Sequence, residues 1–215
     1  MPRIDFKKTH ASLYTASATP TLLRVPELPF LAVDGCGDPA GADYAAAVEA
    51  LYGLAYTIRF ALKGAGIVEY SVPPLQGRWW TDDRGGFDHA VDRAHWHWTM
   101  LLMQPAQADE ALVCEARVRT AKKKPAAPVD RVQLRRIAEG ECAQVLHTGP
   151  YDTEHTTLDR LYTFVAAEGR EPAGLHHEIY LGNPARTAPE KLRTILRHPV
   201  RPTAGPSRPT GILIG

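Results

Sequence analysis

The chain's four tryptophans fall in one short stretch, as Trp79-Trp80 and Trp96-His97-Trp98. Far downstream, His176-His177-Glu178-Ile179-Tyr180-Leu181 sets one acid among two histidines and a tyrosine in a strand-like run. Aromatic faces stack on planar molecules and attract cations. An aromatic wall with one carboxylate is therefore the chemistry of a pocket for a flat organic ligand, cationic or electrophilic. Strand alternation puts Trp96, Trp98 and Met100 on one face and His95, His97 and Thr99 on the other. It groups His176, Glu178 and Tyr180 apart from His177, Ile179 and Leu181. Trp79 and Trp80 point to opposite sides, so at most one of them joins the wall. A carboxylate on an apolar face needs a partner, a raised pKa or a ligand. The same residue on the solvent face of an antiparallel sheet needs none, and the spacing alone leaves both readings of Glu178 open.

Other chemistries have less support. His95-x-His97 and His176-x-Glu178 each offer two ligand atoms on a strand face, but zinc takes three or four from a dedicated set. No metal and no cofactor is expected. The sequence has no G-x-S-x-G, no phosphate-binding glycine loop, no G-x-G-x-x-G and no H-E-x-x-H. Cys36, Cys114 and Cys142 are odd in number and match no zinc spacing, which suits reduced thiols in a cytoplasmic protein. A net charge of +1 gives no reason to expect nucleic acid or a membrane surface as partner. Lys122-Lys123-Lys124 reads as the solvated basic end of a helix. The N-terminus has no signal-peptide pattern, and no apolar run approaches the length of a membrane span. The chain is expected to be a monomer or homodimer.

The elements that must position these residues repeat. A strand over 22–36, interrupted by Pro26 and Pro29, precedes a helix whose stripe is Tyr44, Val48, Leu51, Ala55, Ile58 and Leu62. Strands over 67–70, 76–81 and 94–103 follow, with a charged loop from Asp82 to Arg93 between the last two. A helix over 108–123 and a Pro-Ala linker close the first half. The second half gives strands over 131–148, a turn at Gly149-Pro150-Tyr151-Asp152 and a helix over 153–168 ended by Gly169. After it come a strand over 176–181, a capping box at Thr187-Ala188-Pro189-Glu190 and a last strand from 192. Gly37 aligns with Gly149, and Leu51-Tyr52 with Leu161-Tyr162. The fold class is thus α+β: strand-helix-strand-strand units, at about 22–104 and 131–200, forming a continuous antiparallel sheet with helices on one face and a pocket at the seam. Residues 1–200 make a single domain, and 201–215 read as a flexible tail.

Four blocks carry a family resemblance. They are Val72-Pro73-Pro74-Leu75-Gln76-Gly77-Arg78-Trp79-Trp80, the run from Trp96 to Pro105, the run from His176 to Pro184, and the run from Thr187 to Val200. Together they resemble stand-alone GyrI-like small-molecule-binding proteins, over about residues 5–200. The resemblance implies a duplicated strand-helix-strand-strand fold. It also implies a seam where aromatic residues and a buried glutamate, matched here by Glu178, hold flat and often cationic drugs. The branch with Trp-x-Trp and His-His-Glu-Ile-Tyr also resembles proteins that hydrolyse the strained cyclopropane of DNA-alkylating antibiotics, a self-resistance or detoxification activity. On that footing Glu178 is the base that activates water, its pKa raised by burial. Tyr151 or Tyr180 would bond the developing phenolate. Trp79, Trp80, Trp96, Trp98, Tyr180 and His177 would be the ligand contacts. Two positions depart from the family pattern: His97, where a lysine is expected, and Gln76, where an acid is expected. A hydrolase of hydrophobic electrophiles and a non-catalytic sequestering protein both fit.

Overall fold

Pro26 has no N–H to give a ladder, and it divides the first expected strand in two. In the computed structural model, which describes residues 1–81 and 87–203, β1 (Arg3–Ile4) is followed by the short helices α1 (Phe6–Thr9) and α2 (Ala11–Tyr14). Then come β2 (Thr21–Val25), β3 (Leu28–Cys36) and α3 (Ala42–Gly64). After α3 the chain forms β4 (Glu69–Tyr70), β5 (Gln76–Trp80), β6 (His97–Met103) and α4 (Glu110–Lys123). The second half supplies β7 (Gln133–Ile137), β8 (Gly140–Thr148), α5 (Glu154–Ala167), β9 (Arg170–Pro172), β10 (His176–Tyr180) and β11 (Arg193–Pro202). Part of the expected charged loop (82–86) and most of the expected tail (204–215) lie outside the described residues. Arg201 and Pro202 belong to β11 rather than to a tail.

The large sheet runs β2-β8-β11-β10-β5-β6-β3-β7, with β9 paired to the end of β11. Its order is symmetric about the β10–β5 junction. One unit contributes β8, β11 and β10, and the other β3, β6 and β5. The strand before each unit crosses to the other: β2 pairs with β8, and β7 pairs with β3. Gly37 and Gly149 precede α3 and α5 by the same number of residues, and both have positive φ, 106° and 139°. Glycine tolerates that conformation where a side chain does not.

The two long repeat helices lie on one face of the sheet. α3 buries Ala47, Ala50, Leu51, Leu54, Ala55, Ile58 and Leu62, all at most 2% exposed. Removing a side chain such as Leu51 should cost about 2–5 kcal/mol. α3 is also long and apolar enough by composition to cross a membrane, contrary to expectation, but its apolar stripe is packed in the protein core. α5 covers Ala143, Val145, Leu196 and Val200 with Leu158, Leu161 and Val165. α4 packs behind α3, where Thr57 and Thr120 hydroxyls meet at 2.8 Å.

The opposite face is closed in part by α1 and α2, which the sequence pattern did not reveal. Arg197 Nη2 donates to Leu13 O at 2.7 Å, and Gln144 Nε2 donates to Ser12 O and Thr15 O. Two further expectations change. Residues 93–95 form a 3-10 turn capped by Asp92, so β6 begins only at His97. The expected capping box does not form, because the short turn at Pro189–Lys191 has Ala188 at its N-cap and no side-chain cap bond.

Candidate functional site

The seam strands place the site by register. Trp79 stands opposite both His176 on β10 and Trp98 on β6, and Gly77 stands opposite both Glu178 and Met100. Residues directly opposite share a face. Trp79, Trp98, His176, Glu178 and Tyr180 therefore look toward the repeat helices. Gln76, Arg78, Trp80, His97 and His177 look away.

A cavity of about 990 Å³ opens on the helix side of the seam, at the upper end of the size of small-molecule sites. Its walls include Tyr44, Val48, Tyr52 and Tyr56 from α3, Pro73, Pro74 and Leu75, Trp79, His89, Trp96, Tyr151, Glu154, Glu178 and Tyr180. The spacing of the α3 residues is one helical stripe. Tyr44 stacks on Trp79 with centroids at 6.1 Å, and Trp96 meets Trp79 edge-on at 5.9 Å. Phe87 lies parallel to the His176 ring at 5.2 Å.

Glu178 is 6% exposed, and both of its oxygens are held. His176 Nε2 lies 3.1 Å from Oε1, and the Tyr180 hydroxyl donates to Oε2 at 2.7 Å. Trp79 Nε1 donates in turn to the Tyr180 oxygen at 3.0 Å. Gly77 makes room for this chain: a Cβ there would come within 2.7 Å of Trp79 Nε1 and 2.9 Å of the Tyr180 hydroxyl. Burial alone would raise the Glu178 pKa. The bonds from His176 and Tyr180 and the fields of His176 and His89 outweigh burial and hold it below the usual carboxylate range. That corrects the expectation of a raised Glu178. The raised carboxyl is Glu154, the first residue of α5 and 1% exposed. Burial first, and the neighbouring Glu178 charge second, keep it protonated well above its ordinary value. Tyr151, on the turn before α5, is 37% exposed and meets Tyr180 edge-on at 5.9 Å. Burial, with the Glu154 and Glu178 charges, pushes its hydroxyl up to about 12.

Of the residues expected at the site, Glu178, Tyr151, Tyr180, Trp79 and Trp96 line the cavity. Trp80, Trp98 and His177 do not. Trp80 stacks on His97 at 5.5 Å on the far face. Trp98 is fully buried beneath the cavity, its ring against Gly35, where a Cβ would come within 2.0 Å of it. His177 shares Glu139 and Gln76, at 2.9 and 3.0 Å, on the far face. Burial would raise Glu139, but His177, Arg197 and Arg78 hold it well below the usual range. Burial pulls His177 itself down, against the charge and bond of Glu139. The departures at Gln76 and His97 also lie on this far face, away from the cavity. Among the described residues, no three histidine, cysteine or acidic side chains gather as a metal site.

Reasoning from sequence missed Glu154, Tyr44, Tyr52 and His89. Tyr44 belonged to the α3 stripe, which read as core. Glu154 carried no signal beyond its place just after the Gly149 turn.

A duplicated α+β sheet with an aromatic cavity and buried carboxyls at its seam defines a small-molecule-binding class of domain. The chain belongs to the GyrI-like family: the model of the GyrI-like small molecule binding domain matches residues 18–201. An uncharacterized conserved protein from Listeria innocua is 43% identical, with a TM-score of 0.86, and the match covers 92% of this chain and all of that one. A hydrolase from the same organism is 41% identical at a TM-score of 0.85, covering 93% of this chain and all of its own. A second Listeria innocua structure described as a hydrolase is 40% identical at 0.83, covering 92% and 100%. No curated protein matches.

Proposed function

We propose that the chain hydrolyses flat, hydrophobic electrophiles bearing a strained cyclopropane, and that Glu178 is the base. The observation that carries this reading is a carboxylate fixed by two donors inside an aromatic cavity at the seam. The hydrolase descriptions of two relatives at 40% and 41% identity support it. Trp79, Tyr44 and Trp96 stack the planar part of the ligand. A water oxygen bonds to the ring methylene as a ring C–C bond breaks, and the electron pair moves through the conjugated system to a carbonyl oxygen. Glu178 takes the water proton, and the new phenolate is met by the Tyr151 hydroxyl at the cavity rim, because the Tyr180 proton is given to Glu178.

One observation favours sequestration instead: a carboxylate with a lowered pKa is a weaker base and a good counter-charge. Turnover separates the two. With a cyclopropane-bearing alkylator in large excess, mass spectrometry should find many equivalents of ring-opened, hydrated product. Product capped at one equivalent would establish sequestration. Glu178→Gln should cut turnover by about 10²–10⁴-fold with ligand affinity nearly intact. Under sequestration, the same change should weaken cationic ligands and spare neutral ones.

A further inference from the structure

We infer that Glu154 and Glu178 form a proton-sharing carboxyl dyad that hydrolyses flat aryl esters in the same cavity. The inference rests on the aromatic-cavity part of the reading above, and not on ring opening. Both carboxyls line the cavity, one from the first turn of α5 and the other from β10. Both are removed from solvent, at 1% and 6% exposure. Counted as two carboxylates, the pair leaves Glu154 Oε1 buried without a hydrogen-bond partner. Its neighbours are the Thr194 hydroxyl and Glu178, and a single proton on Glu154 lets that carboxyl donate to the Glu178 carboxylate. Two adjacent carboxylates in such a place do not both ionise. The N-terminus of α5 favours a charged Glu154 by up to about 1 kcal/mol, but burial and the Glu178 charge pull the other way and prevail.

The proposed ring opening leaves that proton unused. There the electron pair ends on an oxygen remote from the attacked carbon. A carbonyl group uses both members at once, because the attacked carbon carries the oxygen that needs the proton. In the addition step, a water oxygen bonds to the ester carbon and its proton goes to Glu178. The C=O π pair moves to oxygen, which takes the proton from Glu154. In the collapse step, the C–O bond to the aryl oxide breaks and the Glu178 proton goes to that leaving oxygen. One hydroxyl of the tetrahedral intermediate returns its proton to Glu154. The products are a carboxylic acid and a phenol, and the dyad is restored. His176 and Tyr180 hold Glu178 in place, and the wall of Tyr44, Trp79 and Trp96 stacks the aryl group.

The probe is 2-naphthyl benzoate, with naphthol release followed by fluorescence and the reaction repeated in ¹⁸O-water. The expected result is many turnovers, with one ¹⁸O in the benzoate and none in the protein. Glu154→Gln and Glu178→Gln should each lower the rate by about 10²-fold or more. A cyclopropane substrate is run beside it with the wild-type protein. Ring opening without ester hydrolysis overturns the dyad and leaves the proposed function standing. Label in the protein, or full ester activity in Glu154→Gln, also overturns the dyad. Ester turnover without ring opening supports the dyad and sinks the cyclopropane reading; with neither substrate turned over, both ideas fall. If Glu154→Gln fails to fold, the turnover and label results on the wild type still decide.

Discussion

At the scale of single residues, the site is defined by which side of a strand each aromatic occupies. Trp79 and Trp80 are neighbours in sequence, yet Trp79 carries a cavity wall and Trp80 sits on His97 across the sheet. Quenching of tryptophan fluorescence by a flat bound dye should therefore fall by more than half in Trp79→Phe and stay close to wild type in Trp80→Phe. Equal quenching in the two variants would remove Trp79 from the wall. Gly77 gives a second residue-scale prediction. In Gly77→Ala the new methyl pushes between Trp79 and Tyr180 and breaks the chain of donors that ends on Glu178. Loss of about one hydrogen bond, on the order of 1 kcal/mol, should weaken binding of the same dye about fivefold in a titration. An unchanged dissociation constant would show that the chain of bonds does not matter to binding.

At the scale of elements, the far face of the sheet locks the N-terminal segment to both units. Arg197 on β11 reaches Leu13 O and Gln144, stands 3.9 Å from Glu139, and is 2% exposed. Removing one partner of a buried ionic cluster leaves the others uncompensated, which typically costs about 3–5 kcal/mol. Arg197→Ala should lower the unfolding free energy by that amount in a urea titration, and proteolysis should begin within the first twenty residues. A loss below about 1 kcal/mol would mean that the cluster is not what ties α1 and α2 down. Because this cluster lies behind the sheet, the change should leave the shape of the cavity alone.

At the scale of the whole molecule, buried histidines make folding sensitive to acid. Burial, aided by His176, lowers His198 to about 4 from an ordinary 6.5, and His89 and His177 are lowered too. As pH falls below about 6.5 the unfolded chain takes up protons that the folded chain refuses until about pH 4, so stability is lost through that window. For His198 alone the loss at pH 5 is about 2 kcal/mol. Glu154 works with the opposite sign. Its folded pKa is raised, so its contribution is full at low pH and fades as pH rises past the unfolded value. The urea midpoint should therefore drop between pH 7 and pH 5 in the wild type, and drop more steeply in Glu154→Gln. A Glu154→Gln midpoint that is flat over this range would show that these histidines are hydrated in the folded protein.

The sequence by itself determined the repeat and the aromatic cluster, and the family resemblance singled out Glu178 as a candidate. Periodicity sufficed for α3, α4, α5 and most strands, because each buries one face and that face writes its spacing into the chain. The glycines at 37 and 149 marked equivalent turns because only glycine accepts their φ without strain. Alternation also separated His176, Glu178 and Tyr180 from His177 correctly, but it could not say which set faced the ligand. Only the pairing of β10 with β5 decided that, by setting Glu178 opposite Gly77 and His176 opposite Trp79. Trp98 looked like a wall residue and became a floor, because Gly35 lets its ring lie flat against the neighbouring strand. The crossing of β2 and β7 between the units, the docking of α1 and α2, and the meeting of Glu154 with Glu178 join residues far apart in the chain. No local pattern encodes such contacts. The pKa shifts of the two carboxyls also came from tertiary packing: the bonds and fields of His176, Tyr180 and His89 outweigh burial and keep Glu178 low, while burial first and the Glu178 charge second push Glu154 up.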